Sequence, residues 1–181
     1  MEDTKRIIIV SEDKNKKQIK LETKQKIPRV ETKTWKLTCN DLEHNAQLTI
    51  LDFLLHNTSI DNNSPEHTRF FRTHIRSKIS NYKHQDITKK MLSSEHFVSL
   101  EEVLKLLHDC RMKCAYCSKN VHVFYNFVRE SSQWTLDRIH NDFGHNSGNL
   151  IIACLECNIK RRCTSKKAFM FEKNLVIEKI G

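Results

Sequence analysis

Cys114-Ala115-Tyr116-Cys117 and Cys154-Leu155-Glu156-Cys157 are two C-x-x-C pairs, with residues 118–153 between them. Two residues between thiolates let both sulfurs reach one ion from a tight turn. Two such knuckles complete the tetrahedral donor set of a structural zinc ion. A closed four-thiolate shell leaves no position for water, so this zinc holds the fold and any catalysis needs other groups. In so small a module, zinc binding supplies much of the folding free energy. The other three cysteines, Cys39, Cys110 and Cys163, read as small buried apolar residues. Cys110 stands near enough to the first knuckle to be an alternative ligand.

Outward from the knuckles the pattern is mixed. Ser99-Leu100-Glu101-Glu102 is a capping box, in which the serine oxygen takes the amide three residues on and Glu102 reaches back. It opens a helix with Leu100, Val103, Leu104, Leu106 and Leu107 that runs into the first pair. Upstream, Asn40 or Asp41 caps a helix carrying Leu48, Ile50, Leu51, Phe53, Leu54 and Leu55. The polar stretch from His56 to Glu66 reads as a loop. A further helix spans Thr68 to Tyr82, with Phe71, Ile75 and Ile79 on one face and Arg69, Arg72, His74, Arg76, Lys78 and Lys83 on the others. That basic face is either solvated or follows a phosphate backbone. Val121–Tyr125, Gln133–Ile139 and Leu150–Ala153 read as strands. A short basic helix follows from Leu155 to about Thr164, and Leu175-Val176-Ile177 in the tail reads as a last strand. The fold class is α+β: a flexible basic arm (1–36), a helical region (37–110) and a zinc-bound module (111–181).

The whole chain of 181 residues carries 31 Lys and Arg against 22 Asp and Glu, a formal charge of +9. A basic surplus favours a polyanionic partner, because each neutralised phosphate releases condensed counterions. Three glycines and two prolines argue against a turn-rich all-β fold. No run reaches the roughly 20 apolar residues a membrane span needs, and Met1-Glu2-Asp3-Thr4-Lys5 opens no signal core. The expectation is an intracellular protein whose seven cysteines serve metal or redox chemistry, not disulfides. Lys14-Asn15-Lys16-Lys17 is a weak hint of nuclear import.

Between the pairs runs Trp134-Thr135-Leu136-Asp137-Arg138-Ile139-His140-Asn141-Asp142-Phe143-Gly144-His145-Asn146-Ser147-Gly148-Asn149-Leu150, and Asn158 directly follows Cys157. This arrangement resembles the HNH (ββα-metal, His-Me finger) endonucleases. The stretch from about Lys78 to Phe171, about half the chain, is similar to HNH-like proteins of giant DNA viruses and their algal relatives. Tyr82-Lys83-His84-Gln85-Asp86 carries that likeness weakly; Gln133 to Ile139 and Cys154 to Asn158 carry it specifically. The resemblance implies a module that hydrolyses DNA phosphodiester bonds with Mg²⁺ or Mn²⁺, on double-stranded DNA, in a nucleus or a cytoplasmic viral factory. It puts Asp137 and Asn158 on the catalytic ion and makes Asn149 the residue that orients the hairpin.

One departure stands out. Where the family has Asp-His, this chain has Asp137-Arg138, and arginine is no base at neutral pH. The base is then His145, in the hairpin turn, or His140, one pleat repeat from Arg138. Arg138 is left to clamp a phosphate oxygen. Lys160, Arg161, Arg162, Lys166 and Lys167 lie on or beyond the motif's helix and are expected on phosphates. Each residue also has a plainer role: Asp137 tying down a loop, Asn158 capping a helix, the histidines on the surface. Trp134 is read as core. The alternatives are a catalytically inactive zinc module that binds nucleic acid, and a zinc-organised protein-interaction domain.

Overall fold

The computed structural model describes residues 28–31, 37–57 and 64–175. Most of the expected basic arm (1–36), and Val176 and Ile177 of the expected last strand, lie outside the described residues. The elements are α1 (Cys39–Leu42), α2 (His44–His56), α3 (Glu66–Thr88), α4 (Leu100–Asp109), β1 (Trp134–Arg138), β2 (Leu150–Cys154), α5 (Leu155–Arg161) and α6 (Lys166–Asn174). The class is α+β, with helices first and a small sheet after them. Among the described residues no helix is long and apolar enough to cross a membrane.

The three long helices form because each carries an apolar stripe. Ile50, Leu51 and Leu54 of α2, Phe71 and Ile75 of α3, and Val103, Leu104 and Leu107 of α4 are buried in one cluster. The same cluster takes in Trp134 and Leu136 of β1 and Ile152 of β2, so the helices and the hairpin share a core. The capping box that opens α4 is present: Glu102 N donates to Ser99 Oγ at 3.1 Å and Ser99 N to Glu102 Oε2 at 3.2 Å. Helix α3 is longer than its apolar repeat at Phe71, Ile75 and Ile79 implies. The buried face continues through Tyr82 to Asp86. The helix then closes with Met91 N on Asp86 O at 2.8 Å and Lys90 at φ +57°, the terminal geometry of a left-handed cap.

Two expectations need correction. Val121–Tyr125 is not a strand. Gln47, fully buried on α2, replaces the neighbouring strand: its Oε1 accepts from Val123 N at 2.8 Å and Phe124 N at 3.0 Å, and its Nε2 donates to Phe124 O at 3.2 Å. One side-chain amide thus satisfies backbone groups that a ladder would otherwise pair. The basic helix after Cys157 ends at Arg161, where Arg162 turns to φ +52°. A separate helix, α6, starts beyond it with Ser165 Oγ accepting from Ala168 N at 3.2 Å.

The sheet is a single antiparallel pair in the register Trp134↔Cys154, Leu136↔Ile152 and Arg138↔Leu150. Side chains alternate across a strand, and here both faces are covered. Trp134 faces α3, whose Lys78 lies 4.9 Å over its ring. Thr135 and Asp137, on the other face, meet Asn158 and Arg161 of α5. Strand, strand and helix therefore follow in the order ββα, with the first cysteine pair ahead of β1 and the second at the junction of β2 and α5.

Candidate functional site

The four thiols of Cys114, Cys117, Cys154 and Cys157 converge, with all Sγ atoms within 4.8 Å of one another. Cys117 Sγ and Cys154 Sγ are 3.8 Å apart. Thiolates at the corners of a tetrahedron about 2.3 Å from zinc stand about 3.8 Å from each other. The cluster therefore fits a metal ion such as zinc, and that separation is far beyond a disulfide. Tyr116 N points at Cys114 Sγ and Cys157 N at Cys154 Sγ, both at 3.4 Å, amide contacts that favour the thiolate. Ala115 N donates to Ile152 O at 2.9 Å, so the first knuckle is bonded to the strand that leads into the second. From α6, Lys173 Nζ stands 3.0 Å from Cys157 Sγ and adds a positive charge beside the sulfurs. Cys110 is outside the cluster, its thiol on Leu107 O at 3.3 Å. Cys39 and Cys163 are exposed, not buried as expected.

Asp137 is placed differently. Its carboxylate is buried, with Oδ1 accepting from Arg161 Nη1 at 2.7 Å and Oδ2 from the Tyr116 hydroxyl at 2.5 Å. Arg161 is 0% exposed. Its Nη1 also donates to Arg138 O at 2.7 Å and its Nη2 to Ile139 O at 3.2 Å. Burial and the neighbouring carboxylate raise the Tyr116 phenol well above its ordinary range, so it stays a donor. Asn158 Nδ2 donates to Thr135 Oγ1 at 3.0 Å. A divalent ion at Asp137 would have to displace a guanidinium that is itself buried and multiply bonded. These residues, as arranged, do not fit a Mg²⁺ or Mn²⁺ site. Arg161, expected on phosphate, is inside the protein because the acid on the facing strand needs a counter-ion.

The hairpin loop between the strands is pinned from within. Asn149 Oδ1 accepts from His140 N at 2.9 Å, and its Nδ2 donates to His140 O at 3.1 Å and Gly144 O at 3.2 Å. Asn149 is therefore bonded across the hairpin loop at three backbone points. Arg138 Nη1 donates to Asn141 O and Phe143 O, both at 3.1 Å. Its guanidinium is thus engaged with loop carbonyls. His140 is exposed. His145 is buried against α3: its Nδ1 is 2.8 Å from Asp86 Oδ1, its amide donates to Asp86 Oδ2 at 2.6 Å, and its ring lies 4.5 Å from that of Tyr82. Burial lowers its pKa, and the Asp86 carboxylate opposes that shift. Gly144 has no room for a side chain, since a Cβ there would meet Met91 O at 2.6 Å and Asp86 Oδ2 at 2.7 Å.

Of the basic residues expected on phosphate, Lys160 is exposed but paired with Glu156 at 2.6 Å. Arg162 is exposed and Lys166 half-buried. Lys78 is turned inward, donating to Gln133 Oε1 at 3.2 Å and to Trp134 O. Burial lowers its ammonium to about 7. Among the described residues a basic track runs along α3. At 100° per residue, Arg69, Arg72, Arg76 and Lys83 fall within about 60° of one another, over about 21 Å of helix axis. Arg69, Arg76 and Lys83 are exposed and Arg72 half-buried.

Three residues were not singled out from sequence: Gln47, Tyr116 and Asp86. Asp86 had a signal, since it continues the buried stripe of Phe71, Ile75 and Tyr82. No family of known proteins, no curated protein and no solved structure matches the chain.

Proposed function

We propose that the chain is a zinc-stapled module that binds nucleic acid through its basic surface and does not cut it. The observation that carries this choice is the Asp137–Arg161 pair, 6% and 0% exposed at the side chains. The charge a catalytic cation would bring is already supplied by the protein. The track of Arg69, Arg72, Arg76 and Lys83 supports binding, because a row of cations along a rigid helix matches a row of phosphates. Such contacts give affinity and position without sequence information.

A second reading keeps a specific observation behind it. The ββα order that begins between the knuckles and runs through the second, with Asn149 holding the hairpin, is the layout the HNH resemblance implies. On that reading Arg161 would have to leave Asp137, Asp137 and Asn158 would then hold Mg²⁺ or Mn²⁺ for DNA hydrolysis, and His145 or His140 would be the base.

One experiment separates the two. Zinc-loaded full chain is incubated with supercoiled plasmid and Mg²⁺ or Mn²⁺, and binding to a labelled duplex is measured across a salt series. The expected result is binding whose logarithm falls linearly with the logarithm of salt, and intact plasmid. Cutting that Asp137→Asn abolishes, in a variant that still carries its zinc, would replace this proposal with the nuclease. Neither binding nor cutting would leave the protein-interaction domain.

A further inference from the structure

Phe143 is 60% exposed at the turn of the β1–β2 loop. An exposed phenylalanine on a loose loop means little. This loop is not loose. Arg138 holds the carbonyl of Phe143 itself, Asn149 holds that of Gly144, and Asp86 holds the amide of His145. Asn141 Nδ2 donates to Cys163 O at 2.8 Å, Val98 N to His145 O at 3.0 Å and Ser147 N to His96 O at 2.7 Å. Backbone and side chains on both sides of Phe143 are tied, while its ring projects into solvent.

The surroundings say what such a ring would meet. Gly144 faces the turn that ends α3, where a Cβ would run into Met91 O. Arg138 Nη1 stands 3.4 Å from Met91 Sδ. Lys89 and Lys90, the two residues before Met91, are exposed at the end of the helix that carries the basic track. Asp142, also exposed, is the adjacent residue. Its negative charge disfavours a phosphate at that point, while Lys89 and Lys90, next in sequence to the Met91 that faces Gly144, favour phosphates. A nucleic acid held by the lysines would therefore bring a base, not backbone, against Phe143.

We propose that Phe143 is a base-stacking residue, and that the module prefers nucleic acid with an unpaired base at this loop. The inference rests on the proposed nucleic-acid binding. Every base has a π-face, so the contact tolerates sequence. An unpaired base also spares the few kcal/mol needed to unstack a paired one. A ring already held in place loses little freedom on stacking.

The test uses the full zinc-loaded chain and two labelled duplexes of one sequence, one fully paired and one with a single bulged 2-aminopurine. Wild type is expected to bind the bulged duplex more tightly and to quench the 2-aminopurine. Phe143→Ala should weaken that binding by about 10- to 100-fold, lose the quench, and leave the salt slope and the paired-duplex affinity unchanged. Phe143→Tyr should retain all of it. Equal affinities of wild type and Phe143→Ala for the bulged duplex would overturn this inference alone, as would equal losses on both duplexes. Failure of wild type to bind either duplex would overturn it together with the nucleic-acid reading.

Discussion

The cysteine knuckles and the floor of the hairpin are two places where residues of metal-binding type come together, and they end differently. At the knuckles four thiols face one another within 4.8 Å, with one lysine at the rim. At the hairpin, Asp137 and Asn158 face a guanidinium, a phenol and a hydroxyl supplied by the protein. The donors are suitable in both places. The competitors differ. A thiolate has few strong partners in a protein other than a metal, whereas a carboxylate is satisfied by an arginine at least as readily as by Mg²⁺. Metal-binding character in a row of residues is therefore decided by what else can reach them.

The largest effect that can break this comparison is at the knuckles. If the thiols are held together by zinc, a chelator or Cys154→Ser should unfold the hairpin and α5, because binding and folding free energy are one quantity there. Circular dichroism and zinc stoichiometry read this out, with one zinc per chain expected. A chain that keeps its melting transition without metal would sink the staple.

The hairpin comes next. Arg161→Met leaves Asp137 buried and uncompensated, and should cost about 3–5 kcal/mol. Adding Asp137→Leu removes the orphaned charge and should return much of that loss, since a buried pair replaced by apolar groups is often neutral. Urea midpoints of the two single variants and the double variant give the coupling directly. Additive losses would mean that the two charges do not sense each other, and the case against a catalytic cation at Asp137 would fall with them.

The same comparison explains what the sequence made legible. The knuckles were readable because the two-residue spacing is local, and the amides and the lysine that touch the sulfurs leave them facing one another. The strands were readable from their β-branched and aromatic runs, and α4 from its capping box. Val121–Tyr125 carries a strand's composition, yet its partner is a glutamine 77 positions from Phe124, which no local pattern announces. Arg161 was read as a phosphate contact because it sits in a basic run. One geometric step would have corrected that. Asn158 and Arg161 are three apart on α5 and share a face, while Thr135 and Asp137 are two apart on β1 and share another. Once Asn158 is set against this side of the strand, Arg161 follows it onto Asp137.

The smallest expected effect concerns acid, and it separates the two regions in another way. Burial lowers the pKa of His145, which packs the hairpin loop onto α3, and the Asp86 carboxylate only opposes this. His44 and His122 are lowered for the same first cause. Above about pH 6.5, the ordinary histidine value, folded and unfolded chains are both neutral at these rings and the contribution to stability is complete. As the pH falls through 6.5 the unfolded chain gains protons that the folded chain refuses, so stability declines until the lowered folded values are reached. Thiolates also take up protons in acid and release zinc, so both regions weaken in the same direction. His145→Gln distinguishes them, since the glutamine amide can still donate to Asp86 but does not titrate. Its urea midpoint should fall less than wild type's between pH 6.5 and 5.5, while the pH at which zinc is released stays where it was. An unchanged slope would place the acid sensitivity of the hairpin in the knuckles and remove His145 as a separate source.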